Sequence, residues 1–195
     1  SQRAEILVSF FYLGGLLFFI KALSDVSLKG HLSYIAGMIC FLFGLGSKDI
    51  IITLPFVLSS YWFYFLRGLS DKKNQIIKIG ILVFPALLTM AYRINTFKND
   101  MSLDPRIGFR LEFNSYEYLL TQFRVITRYI GLLFFPVNQN FDYNFSISRG
   151  FLNPPSTLLS FLFLFFLVGL ALFLYKRWRI GSFAILWFFL ILSPT

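Results

Sequence analysis

Along this chain, long apolar runs alternate with short polar clusters, and six runs approach the length of a membrane crossing: Glu5 to Ala22, Ser33 to Gly46, Ile50 to Leu66, Ile76 to Tyr92, Thr157 to Tyr175 and Ile180 to Leu192. A run of about 17 to 20 apolar residues, wound as a helix, spans about 30 Å of hydrocarbon and satisfies its own backbone hydrogen bonds. The second and sixth runs are short for a full crossing. Gly46-Ser47-Lys48-Asp49 separates two runs with turn formers and a charge pair, which predicts a helical hairpin. The stretch Tyr116 to Phe135 differs in kind, since Glu117, Gln122, Arg124 and Arg128 interrupt it. Thr121, Arg124 and Arg128 share one helical face, with Leu120, Phe123 and Ile130 elsewhere, and Pro136 stops the helix. Two Arg at membrane depth cost about 2.5 to 3.5 kcal/mol each on insertion scales, so this segment reads as an interfacial or re-entrant helix.

Composition strengthens the membrane reading. The 195 residues are 57% hydrophobic and 14% charged, with a mean hydropathy of +0.70. Soluble domains carry about 25% charged residues, and runs such as Leu158 to Tyr175 lack the polar face of a soluble core helix. The expected fold is all-α, a polytopic transmembrane bundle of about six spans plus the interfacial helix, forming one domain over residues 1–195. Ser1 to Glu5 lack a signal-peptide pattern and Ser193-Pro194-Thr195 follows an apolar run directly. The expectation is therefore an internal piece of a longer membrane region. Cys40 and His31 stand alone, so no disulfide framework and no metal site is expected.

Charge then orients the bundle. Placing the clusters around Lys21 and Lys29, Arg67 to Lys78, and Lys176 to Arg179 inside leaves Arg3, Glu5, Lys48, Asp49 and the region 93–156 outside. The inner set holds nine Lys or Arg against Asp25 and Asp71, and the outer set nine against seven acids. Seven of the outer cations are Arg, at positions 3, 93, 106, 110, 124, 128 and 149, whereas six of eight Lys lie inside. Arg grips phosphate with a planar fork, so an Arg-rich outer face suits an anionic lipid headgroup. The same Arg can equally snorkel to ordinary phospholipids. Lys48 and Asp49 can neutralise each other at a hairpin tip or mark a substrate path, and Arg3 and Glu5 could join them in one polar pocket. Asn138, Gln139, Asn140 and Asp142, interleaved with Phe141 and Tyr143, suit a polyhydroxyl ligand or a plain turn.

Several of these segments occur in one order that resembles a known family. Gln2-Arg3-Ala4-Glu5, Ser47-Lys48-Asp49 with Leu54-Pro55, Thr121-Gln122-Phe123-Arg124-Val125 with Tyr129, Pro136-Val137-Asn138-Gln139-Asn140 with Asp142, and Leu186-Trp187-Phe188-Phe189 with Ser193-Pro194-Thr195 look like the transmembrane and tetratricopeptide-repeat O-mannosyltransferase-like proteins. The block from Thr121 to Asp142 is the most specific. The resemblance implies a GT-C class glycosyltransferase, partial here, that moves a sugar from a polyprenyl-phosphate carrier to a protein or glycan acceptor at the periplasmic face of a bacterial inner membrane. It implies lipid-phosphate contacts from Arg124 and Arg128 first, then Lys48 and Arg3. Sugar or acceptor contacts would come from Gln122, Asn138, Gln139, Asn140 and Asp142, and Asp49 and Glu5 are candidates for catalysis. The family's upstream acidic motif and its repeats are missing, and Asp49 stands where the family more often has Glu. Partners would be membrane lipid, the lipid-linked sugar and the acceptor, with no nucleic acid. The competing expectation is a transporter or flippase of a lipid-linked or anionic solute, which would also hold Arg at the interface but normally shows related halves.

Overall fold

The computed structural model describes residues 2–25, 27–68, 72–103, 115–137 and 146–193. Among them the chain is helical, with α1 (Gln2–Ser24), α2 (Leu28–Leu45), a 3-10 turn (Asp49–Thr53), α3 (Leu54–Tyr61), a π turn (Trp62–Leu66), α4 (Lys72–Leu103), α5 (Ser115–Phe134), α6 (Ser156–Arg177) and α7 (Arg179–Leu192). Among the described residues, five helical segments are long and apolar enough to cross a membrane: Arg3–Ser24, Leu28–Leu45, Asp49–Leu66, Lys72–Arg93 and Ser156–Arg177. They fit an integral membrane protein. The sixth expected run forms the shorter α7, and the second run begins earlier than its apolar stretch, at Leu28. The third is not one α-helix but a 3-10 start, an α middle and a π end. The chain divides into two compact units, residues 1–98 with 178–195, and residues 99–177.

In the first unit, α1 and α2 pack through small residues. Gly30, Ser33, Gly37, Phe41 and Gly44 recur every three or four positions and form the buried face of α2. In lipid, helix association depends on close packing, which small residues permit. A Cβ on Gly37 would lie 2.8 Å from the Phe19 ring, and one on Gly44 would lie 2.6 Å from Ile51. Phe19, Phe41, Ile51, Leu54, Leu58 and Leu82 are fully buried around this seam.

The C-terminal end of α1 is closed by α4. A helix ends with carbonyls that have no partner within it. The Gln75 amide donates to the Leu23 carbonyl at 2.9 Å and accepts from Trp62 Nε1 at 2.7 Å, while Lys78 Nζ donates to the Ala22 carbonyl at 2.8 Å. Next to them, the Ser27 amide donates to Asp25 Oδ1 at 2.8 Å, which holds that carboxyl below its usual range. Gln75 is 5% exposed. Gln75→Leu leaves a carbonyl and an indole N–H without partners, so we expect a loss of about 2–4 kcal/mol, measured as the unfolding midpoint of the detergent-solubilised protein.

In the second unit, α5 and α6 pair. Phe123 and Phe151 both pack on Phe161, with ring centroids 5.2 and 5.3 Å away. α5 separates its polar and apolar faces more strongly than the other helices, as the sequence predicts for Tyr116 to Phe135, and it ends just before Pro136.

Candidate functional site

At one end of the first unit, the start of α1, the turn before α3, the stretch of α4 around Arg93 and the end of α7 bring four charged side chains together. Lys48 Nζ lies 2.9 Å from Glu5 Oε1, and Arg93 Nη2 lies 3.0 Å from Asp49 Oδ1. The Lys48–Asp49 pairing that the sequence allows does not form. Lys48 is extended (φ −162°, ψ 150°) at the entry of the 3-10 turn, and successive side chains on extended backbone point to opposite sides. Lys48 therefore reaches α1 while Asp49 reaches α4.

Each pair stands at the mouth of its own cavity. The first cavity, about 360 Å³, lies between α1 and α7 and is lined by Glu5, Ser9, Tyr12, Lys48 and Trp187 with apolar neighbours. The second, about 340 Å³, is lined by Asp49, Arg93, Thr53 and Ser193 over an apolar wall that includes Phe56 and Met90. The 3-10 turn separates them, and a buried bond fixes it. Thr53 Oγ1 donates to the Ile50 carbonyl at 2.8 Å, so in the 3.1 Å contact between Tyr12 and Thr53 the Tyr12 hydroxyl is the donor. Among the described residues no group lies within hydrogen-bond distance and angle of the buried Trp187 Nε1, whose polar neighbour is the Tyr12 hydroxyl.

The other expected site residues fall elsewhere. Arg3 is exposed on the first turns of α1. Gln122, Arg124 and Arg128 belong to the second unit, on α5. Part of the polar face of α5 is used by the chain itself: Arg124 Nη1 donates to the Ser146 carbonyl at 2.8 Å, and Thr121 Oγ1 accepts from the Ser148 amide at 3.0 Å. Ser148 Oγ in turn meets Thr157 Oγ1 of α6 at 2.9 Å, with both side chains fully buried. Asn138, Gln139, Asn140 and Asp142 lie outside the described residues. Arg124→Gln is accordingly expected to loosen segment 146–148, read as at least ten-fold faster amide hydrogen exchange there, since a hydrogen bond from a charged donor contributes about 1.5–3 kcal/mol.

Arg93, Tyr12, Thr53 and Trp187 are the additions made by the fold. Arg93 carries a weak signal in the sequence as one of the outer Arg. The other three look like ordinary span residues.

Comparison with protein-family models, curated proteins and solved structures gives no match.

A charged rim over an apolar cavity can receive an amphiphile, with its polar head at the rim and its hydrocarbon below. Both pairs are about half exposed, and solvent-exposed pairs stabilise a fold little. Charges at the ends of apolar helices that stabilise the fold so little are candidates for contact with a polar ligand.

Proposed function

We propose that the chain is part of a polytopic membrane glycosyltransferase that moves a sugar from a polyprenyl-phosphate donor to a hydroxyl of a protein or glycan acceptor, at the periplasmic face of a bacterial inner membrane. The observation that supports this reading most is the Asp49–Arg93 pair, a carboxylate and a guanidinium 3.0 Å apart over an apolar cavity. Such a transfer needs a base for the acceptor hydroxyl and a cation for the departing phosphate. Arg93 turns from Asp49 to the lipid phosphate and grips it bidentately. The bond between the sugar carbon and the phosphate oxygen breaks, the acceptor oxygen bonds to that carbon, and the released Asp49 takes the hydroxyl proton.

Within this proposal Arg93 takes precedence over Lys48 and Arg3 because it shares a cavity with a carboxylate and has a planar fork. Arg124 and Arg128 supply a second cationic face on α5, with Gln122 beside them for sugar hydroxyls. The order of segments that resembles the O-mannosyltransferase-like family supports the same reaction class.

The test is made on the complete protein in proteoliposomes with a radiolabelled polyprenyl-phosphate sugar. Label on a protein or glycan acceptor is the expected result. Label that crosses the bilayer still attached to its lipid would replace the enzyme with a flippase, and label that stays on the donor lipid in its original leaflet would end both readings.

A further inference from the structure

The first cavity carries its charges at one end and has aromatic and aliphatic walls toward the other, and this asymmetry defines a ligand. It runs along one face of α1, where Glu5, Ser9 and Leu13 follow at four-residue steps, over a length of about 12 Å. Lys48 and Glu5 close its outer end. Toward the other end the walls are Leu13 and Trp187. Leu13 is 53% exposed on the surface of α1, so the cavity opens sideways, where a hydrocarbon chain can pass into the surrounding bilayer.

The rim decides which amphiphile fits. It offers one cation and one carboxylate, 2.9 Å apart and already bonded to each other. An anionic head that takes Lys48 strands Glu5, and a cationic head that takes Glu5 strands Lys48. Either exchange leaves an unpaired charge at the membrane border. A head that carries both charges exchanges one ion pair for two. A primary ammonium also donates hydrogen bonds to a carboxylate, which a quaternary ammonium cannot do.

We propose that this cavity holds a zwitterionic phospholipid of the ethanolamine type, with its phosphate on Lys48, its ammonium on Glu5 and the start of one acyl chain along Leu13. This site is separate from the Asp49–Arg93 cavity and does not depend on sugar transfer.

Native mass spectrometry of the complete chain, released from micelles doped with ethanolamine, choline or glycerol phospholipids of matched chains, tests the proposal. The ethanolamine lipid should be retained at least ten-fold better than the other two. Leu13→Trp, which fills the cavity and spares the charges, should lower retention about ten-fold, as should Lys48→Gln. The charge-swapped double variant Glu5→Lys/Lys48→Glu should keep the preference, because a zwitterion can reverse its head. Stronger retention of the glycerol lipid, loss of binding in the charge-swapped variant while it remains helical by circular dichroism, or unchanged retention in Leu13→Trp would each overturn it.

Discussion

Replacing Gly44 with Val is expected to lower the yield of folded protein sharply and to separate both ion pairs at the charged end of the first unit. A Cβ at this position would lie 2.6 and 2.7 Å from Ile51 Cγ1 and Cδ1. Ile51 is fully buried in the 3-10 turn, so its side chain can give way only by repacking within the core. Overpacking a dense core costs about 1–3 kcal/mol, and here the relief must come from moving the turn that carries Asp49. The loss should appear as a lowered unfolding midpoint in detergent together with weaker lipid retention in the neighbouring cavity. Gly46→Ala is the control, because its added carbon meets nothing closer than 3.5 Å. Equal stability of the Gly44 and Gly46 variants would refute the packing argument.

Arg93→Gln is expected to reduce sugar transfer by the full-length protein about 100- to 1000-fold, the usual loss when a positioned donor to a developing anion is removed. Asp49→Asn should produce a loss of 100-fold or more, since it removes the base. Neither change should shift stability by more than about 1 kcal/mol, because the pair is half exposed and such pairs stabilise little. This split between activity and stability is the informative readout. A fall in transfer matched by a comparable fall in the unfolding midpoint would assign Arg93 and Asp49 to structure, and unchanged transfer would remove them from the reaction.

Arg124 shows how a correct local reading can still leave a role open. The spacing of Thr121, Arg124 and Arg128 places them on one face, and α5 has the expected limits because Pro136 cannot continue a helix. What that face meets is a tertiary matter. Ser146 and Ser148 occupy part of it through backbone groups that no pattern in the sequence singles out.

The sequence alone determined an all-helical chain with membrane-length apolar segments, the amphipathic α5 and the break in the helix near Gly46, because each follows from hydrophobic length, helical period or local turn chemistry over a few residues; of the six runs it marked, five form helices long enough to cross a membrane and the sixth forms the shorter α7. The tertiary structure decided the partners. Lys48 bonds Glu5, 43 positions away, rather than its neighbour Asp49, and Tyr12, Thr53 and Trp187 meet around the 3-10 turn. It also decided that the third span departs from a plain α-helix at both ends. These outcomes rest on which helix lies beside which; close packing at Gly37 and Gly44 fixes α2 against Phe19 of α1 and Ile51 of the 3-10 turn, where a single carbon atom would force the neighbours apart.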